Sequence, residues 1–446
     1  MSHLSRRDLL RSSGAGLLAL AAGGALAACG SGSDGGSGGD AETGTVTVWS
    51  WATAAAALRS LVPAFEKDNP GIKVEVQDIG EPAIWDKITV GLAAGGQGLG
   101  DVLHIGCDYL PGYLDKFPGG LADLSALGAD AHRDKFAKGL WPVVTGKDGR
   151  ARALPWETNP LGFFYRKDYF DKAGIDPTTF ATWDDFIAIA DRFKAANPGI
   201  ALLGLNKAAN PDPDLDFVQS LMQLQGAFYF DLQGKITLGS EPAVRALTIV
   251  KRLEEAGVVT DTPGAHGWVD LMKTGKLAVS PMPAWAAHYM EVKFPDQSGS
   301  WRLAEPPAVT PGGRRTALVN STHLAVAASS PRRRAAWKFV EYALTRPASV
   351  NAMFTAGGVF PALTEAFADP MYSRPSAYYG GQPVLKTFAG LASAGGDPTN
   401  YSGDYARALK LASDAQTKVL LRKADPAAVL QDAARQLAQQ TGRTTA

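Results

Sequence analysis

The sequence predicts an α/β protein of two layered lobes, and three observations carry that expectation. Residues 45 to 76 read as strand, helix, strand; the same alternation recurs beyond residue 180; and 446 residues are more than one such layered unit needs. Helices interleaved with strands along a chain imply a sheet with helices packed on its faces through right-handed crossovers.

The elements follow in order. Thr45 to Val48 alternates as a strand does, and Leu58, Leu61, Val62 and Phe65 recur at helical spacing before the Asn69-Pro70-Gly71 stop. Ile72, Val74 and Val76 alternate again, and Asp101 to Ile105 reads as a buried strand. Farther on, Thr182 is placed to cap a helix with Asp185 three residues later, and Phe186, Ile189 and Phe193 mark its apolar stripe up to Asn197-Pro198-Gly199. Lys235 to Leu238 is expected as a short strand, and Ser240 opens a helix that runs to Ala256 and stops at Gly257. Strands are expected at Leu277 to Met282 and Leu324 to Ala328. Ser330-Pro331 opens a helix carrying Trp337, Val340 and Leu344, and two long helices close the chain, the second beginning at Asp425-Pro426. No internal repeat is found.

The first residues read as an address and not as structure. Arg6, Arg7 and Arg11 precede an apolar run from Gly14 to Ala28, shorter than the roughly 20 residues a membrane-spanning helix needs. "SRRDLL" resembles a twin-arginine export signal, and "LAAC", residues 26 to 29, resembles a bacterial lipobox, which implies cleavage before Cys29 and acylation of its sulfur. Ser31 to Gly44 is nearly all Gly, Ser and acid, and is expected to be a flexible tether of about 20 Å end to end. The "GSGSDG" and "GGSGG" inside it match dinucleotide-loop and serine-elbow patterns by composition alone, since neither joins a strand to a helix.

Without residues 1 to 28 the 446 become 418, and the formal charge moves from zero to minus two, because that segment holds three arginines against Asp8. A balanced charge gives no basic face for nucleic acid, and Arg332-Arg333-Arg334, the densest basic run, reads as a solvated helix start. With Cys29 lipidated, Cys107 has no partner, so the exported chain is held by its core and not by bridges.

Six histidines, at 3, 104, 132, 266, 288 and 323, show no metal-ligand spacing, so neither a metal nor any other cofactor is expected and the histidines read as surface or packing residues. No serine sits at a strand-to-helix elbow. Glycoside hydrolysis needs two carboxyls across a cleft; Asp108 and Glu157 leave that reading open. The stretch "ALPWETNPLGFFYRKDYF" sets much aromatic surface beside few polar groups. A sugar ring, with C–H patches on its faces and hydroxyls at its edge, suits flat aromatic platforms flanked by Asp, Glu or Asn. Trp49 and Trp51 follow the first strand; Trp156, Glu157 and Asn159 follow residue 153; and Trp285 follows the strand ending at Met282, all at strand ends, where open α/β sheets present ligands. Packing in a core is the alternative reading for each indole.

At this point the chain resembles the extracellular solute-binding proteins of sugar ABC transporters, relatives of the maltose-binding protein, over nearly all of its length after the tether. "TVTVWSW" is similar to the family's first strand and binding loop, and "DVLHIGCDYLPGYLDKFPGGLADLS" to its second binding segment, which implies ligand contacts from Asp108 and Tyr109. "LPWETNPLGFFYRKDYFDKAGIDPTTFATWDDF" resembles the crossover strand and the helix after it, pointing to Asn159 with Trp156 and Glu157 nearby. "KTGKLAVSPMPAW" implies a stacking role for Trp285; "ALVNSTHLAVAASSPRRRAAWKFVEYAL" resembles the return strand, setting Asn320 and Ser321 near the cleft; "GGVFPAL" is similar to the stretch before the closing helices, with Tyr405 as a further platform. Tyr109 stands where the maltose-binding relative has arginine and Ile105 where it has tryptophan, so maltose is not carried over.

The resemblance implies a periplasmic-binding-protein-like fold of two α/β lobes with several hinge crossovers, residues 45–152 with 303–345 forming the first and 153–302 with 346–446 the second. It implies a sugar or oligosaccharide ligand in the cleft, delivery to the transmembrane permease of an ABC importer with a separate ATPase, a lipid anchor on the outer face of the bacterial cytoplasmic membrane, a monomer, and no catalysis. A non-sugar ligand, such as a phosphorylated polyol or a peptide, and a secreted glycoside hydrolase are the alternatives.

Overall fold

A computed structural model describes residues 41–208, 216–262 and 267–446. The export signal, Cys29 and the first part of the tether lie outside the described residues, as do His3 and His266. Nine strands are described: β1 (Gly44–Ser50), β2 (Ile72–Asp78), β3 (Val102–Gly106), β4 (Ala153–Arg166), β5 (Leu203–Leu205), β6 (Val259–Asp261), β7 (Val279–Pro283), β8 (Trp301–Ala304) and β9 (Leu318–Val326). Seven of them form one sheet in the order β2-β1-β3-β9-β4-β7, with β8 also on β4, while β5 and β6 pair separately. β1 is parallel to β2 and β3, as strand-helix-strand crossovers require, and β9 runs antiparallel to both β3 and β4.

Three hydrophobic clusters fill the structure. The first packs β1 and β3 against the helices Ala52–Asp68, Ala83–Ala93 and Arg333–Leu344, around Val46, Leu58, Phe65, Ile105 and Phe339. The second gathers Phe163, Trp183, Phe186, Leu221, Leu247 and Leu253 with the closing helices Tyr405–Arg422 and Pro426–Thr441. The third holds Phe164, Met290, Trp301, Tyr379 and Phe388. β4 runs through all three. Its first residues pair with β9 inside the first cluster; past Leu161 its alternate side chains divide between the other two, Phe163 and Tyr165 to one face and Phe164 to the opposite one. The aromatic run Phe163, Phe164, Tyr165 and Phe170 is therefore buried packing.

Most of the expected elements are present. The Thr182–Asp185 capping box is formed in both directions. Asp425 caps the last helix by accepting from the Ala428 N–H.

Three expectations are corrected. The tether is held at its end: the Ala41 N–H donates to the Pro331 carbonyl at 3.2 Å, and Lys338 donates to Glu42 at 3.3 Å. The helix expected from Thr182 to Asn197 is two, Trp183–Ala188 and Ala190–Ala196, meeting at Ile189. Lys235 to Leu238 makes only isolated bridges from Ile236 to Phe230 and Thr445. Between residues 350 and 366 the packing is divided: Val350, Met353, Leu363 and Ala366 lie in the first cluster and Phe360 in the third.

Candidate functional site

β3, β4 and β9 lie side by side, and where they pass one another the sheet becomes polar. Glu157 is opposite Thr322, Asn159 opposite Asn320, and Gly106 opposite Thr322 on the other side of β9. The register of β4 on β9 slips between Pro155 and Glu157 and again between Asn159 and Pro160. Such bulges re-aim side chains, and here Glu157 and Asn159 face a cavity of about 700 Å³ that Asn320, Asp108 and Cys107 also border.

One wall of this cavity comes from the first cluster. β1 ends at Ser50, and Ala52 takes the left-handed conformation at φ 45°, a strained turn for a residue with a Cβ. That turn lays Trp51 flat on His104, with ring centroids 3.6 Å apart and planes 6° apart, and brings its edge to Trp85 at 4.9 Å. Tyr109 stacks on the far side of Trp85 at 4.3 Å. His104 is held by Ser50 Oγ, 2.9 Å from its Nδ1, and burial pushes its imidazole well below the ordinary range, so the ring is neutral.

Further lining comes from the other two clusters. Trp285 and Tyr289, one helical turn apart, meet edge to face at 5.8 Å and share a third neighbour in Trp268. The Trp285 backbone N–H donates to Asn159 Oδ1 at 3.4 Å, tying this wall to the floor. Tyr405 and Tyr401, which border the same cavity, pack at 4.9 Å, and the Gln219 amide donates to the Tyr405 hydroxyl at 3.2 Å.

The floor carries two carboxyls out of their ordinary range. Burial pushes Glu157 up to about 7, against the pull of its hydrogen bonds from Asn159 and Thr322. Burial also raises Asp108 to about 6, with the Glu81 carboxylate adding to the effect. Asp108 folds back over Gly106, where a Cβ would stand 2.4 Å from its Oδ1, so a larger residue there would push that carboxyl aside. Burial raises the Cys107 thiol to about 12, which keeps it protonated and inert. Among the described residues no group of three or more His, Cys, Asp or Glu is placed to hold a metal ion.

Of the residues singled out from sequence, Trp51, Asp108, Glu157, Asn159, Trp285, Asn320, Ser321 and Tyr405 border the cavity. Three do not. Trp156 is 1% exposed in the first cluster, 4.6 Å from His104: it is the residue skipped at the bulge between Pro155 and Glu157, and its side chain packs into the core while Glu157 and Asn159 face the cavity. Trp49 sits within β1, where Val46, Val48 and Ser50 take the buried face; its indole lies on the other face and donates to Gln77 Oε1 at 3.1 Å. Tyr109 backs Trp85 without bordering the cavity. Sequence reasoning missed His104, Trp85, Tyr289, Gln219 and Tyr401. Only Tyr289 left a signal there, four residues past Trp285.

Comparison with known proteins gives a consistent picture. The model of the bacterial extracellular solute-binding protein family matches residues 49–349. A lactose-binding protein of Rhizobium radiobacter is 27% identical over 340 residues, 75% of this chain and 78% of that protein. An arabinooligosaccharide-binding protein of Bacillus subtilis (strain 168) is 25% identical over 289 residues, 64% of this chain and 65% of its own. Among solved structures, an ABC transporter associated binding protein from B. animalis subsp. lactis, in complex with beta-1,6-galactobiose, superposes with a TM-score of 0.71 at 25% identity, over 90% of this chain and 99% of that one. The sugar-binding protein MalE of Xanthomonas citri superposes at 0.75 and 21% identity, over 89% and 98% of the two chains, and so shares the fold.

Proposed function

The chain belongs to the family of bacterial extracellular solute-binding proteins, and from that premise we propose that it captures a sugar or short oligosaccharide in the cavity and hands it intact to the permease of an ABC importer. The observation that carries this reading is the meeting of aromatic surfaces from different clusters, Trp51 with Trp85 and Trp285 with Tyr289, around one polar floor. Aromatic faces suit the C–H patches of a sugar ring; Glu157, Asn159, Asn320 and Asp108 suit its hydroxyls, since a carboxyl near neutrality both donates and accepts. The names of the relatives, with lactose, arabinooligosaccharide and beta-1,6-galactobiose among their ligands, support the same class.

The lobe division is part of this proposal. One lobe is built on the first cluster and the other on the second and third, connected through β4, through β9 and through residues 350–366, whose side chains divide between the first and third clusters, so that a ligand touching both walls favours the closed arrangement by its differential affinity. Acylated Cys29 and the tether hold the receptor at the outer face of the cytoplasmic membrane, near its permease. Among the described residues no helix is long and apolar enough to cross a membrane.

A phosphorylated ligand is disfavoured by the lining, which sets Glu81, Asp108 and Glu157 against Lys293. Hydrolysis is not part of the reading: a receptor returns a labelled oligosaccharide unchanged after long incubation, whereas a hydrolase releases shorter products. The test of binding is a thermal-shift screen with lactose, beta-1,6-galactobiose, arabinooligosaccharides and their monosaccharides. A ligand at a hundredfold its dissociation constant adds about 2.7 kcal/mol to the folded state, and no shift with any saccharide would overturn the proposal.

A further inference from the structure

Negative charge gathers on the cavity lining with no cation to meet it. Asp108, Glu81 and Glu157 border the space against a single lysine, Lys293, which lies over the Tyr289 ring at 6.0 Å. Among the described residues no lysine or arginine acts on the carboxyl of Asp108 or of Glu157. Asp108 accepts from backbone N–H groups at residues 108 and 109, and the charge that acts on it is that of Glu81, of the same sign. Carboxylates withdrawn from water are ordinarily paired with a cation, so this cluster calls for one from outside the chain.

Two of these carboxyls converge on one indole. A Cβ on Gly106 would stand 2.4 Å from Asp108 Oδ1 and 3.6 Å from Trp85 Cη2, so that carboxyl and the benzo end of the Trp85 ring border the same spot. At the other end of the ring, Trp85 Nε1 donates to Glu81 Oε1 at 3.3 Å. Trp51 stands at 65° to Trp85 with centroids 4.9 Å apart, and each indole is backed on one face, Trp51 by His104 and Trp85 by Tyr109. Angled indoles flanked by carboxylates suit an organic cation, because the ring faces attract its charge and the carboxylates accept its N–H groups. A neutral hydroxyl satisfies one carboxyl and leaves the like charges of Asp108 and Glu81 unopposed.

Resting on the reading of the cavity as a saccharide site, we propose that its preferred ligand is a basic saccharide, one with a free amino group, whose ammonium sits between Asp108 and Glu81 against the indoles of Trp51 and Trp85. Trp285 and Tyr289 remain for the C–H faces of the sugar rings.

The test is calorimetric titration of the protein with cellobiose, lactose and beta-1,6-galactobiose, each beside forms carrying an amino group at C-2 or C-6 of either ring and beside the N-acetylated forms of these. At least one amino form is expected to bind at least tenfold tighter than both its neutral parent and its N-acetyl counterpart, which has the nitrogen without the charge. That advantage is expected to shrink as sodium chloride is raised, and to fall below about threefold in Asp108→Asn and in Glu81→Gln, whatever those variants do to the neutral parent. Neutral saccharides that bind as tightly as every amino form would overturn the inference and leave the saccharide reading standing. An amino-form advantage that neither variant nor salt alters would also overturn it, since the salt series on the unaltered protein does not depend on the variants folding. If no saccharide binds, neutral or basic, the underlying reading falls with it.

Discussion

His104 and Trp51 lie face to face, ring centroids 3.6 Å apart with planes 6° from parallel, at the edge of the cavity. The imidazole is neutral, fixed by Ser50, and itself packed against Trp156 at 4.6 Å. Trp156 was expected as a ligand platform; instead it is two rings behind one, and its work is to hold His104 under Trp51.

That relationship predicts a positioning role for His104. His104→Ala leaves Trp51 without its backing and is expected to weaken saccharide binding about tenfold, roughly 1.4 kcal/mol, with His104→Phe restoring most of the loss because a flat ring returns. Titration calorimetry of the two variants against the unaltered protein checks this.

Trp156 and Trp285 are expected to separate stability from binding. Trp156→Ala empties a fully buried site and is expected to cost about 3 to 5 kcal/mol of folding stability. Trp285→Ala, half-exposed on the cavity wall, is expected to cost only about 1 kcal/mol by loss of its edge contacts with Trp268 and Tyr289, yet to abolish the ligand-induced rise in melting temperature. Denaturant titration with and without saccharide reads both.

Glu157 has a folded-state pKa raised to about 7 from the ordinary 4.5. Its contribution to stability is therefore full below about 4.5 and is lost as pH rises through 7, where the carboxylate must ionise in a buried place. Glu157→Gln is expected to stabilise the unliganded protein by about 1 to 3 kcal/mol at pH 8 and to leave it unchanged at pH 4. Equilibrium unfolding at the two pH values tests the sign.

His323 works in the opposite direction. Burial lowers its pKa to about 3, so below the ordinary 6.5 the unfolded chain takes up a proton that the folded protein refuses. Stability falls as pH drops from 6.5 towards 3, by up to about 1.4 kcal/mol per pH unit. His323→Gln is expected to flatten that acid limb, which a series of melting temperatures from pH 7 to pH 4 reveals.

The fold was largely legible because its signals are local. Val46 and Val48 alternate, Leu58, Leu61 and Phe65 lie on one helical stripe, and Thr182 with Asp185 makes a capping box by sequence spacing alone. The site was legible only in part. The first half of β9 is polar because Asn320 and Thr322 face the cavity and its rim, so the apolar pattern began only at Leu324 and the strand was expected six residues too late. Trp49 and Trp51 look equivalent in "TVTVWSW", yet the strand ends between them, and the left-handed turn at Ala52 sends only Trp51 to the cavity. Trp85 and His104 reach the site through tertiary packing that no spacing announces.

The central claim, a saccharide held between indoles of facing walls, is tested most directly by saturation-transfer NMR on the protein with bound saccharide, irradiating aromatic protons alone. Strong transfer to the ring C–H protons of the sugar is expected, sharply reduced in Trp51→Phe and in Trp285→Phe. A saccharide that binds with no transfer from aromatic protons, or with transfer that neither variant alters, would contradict it.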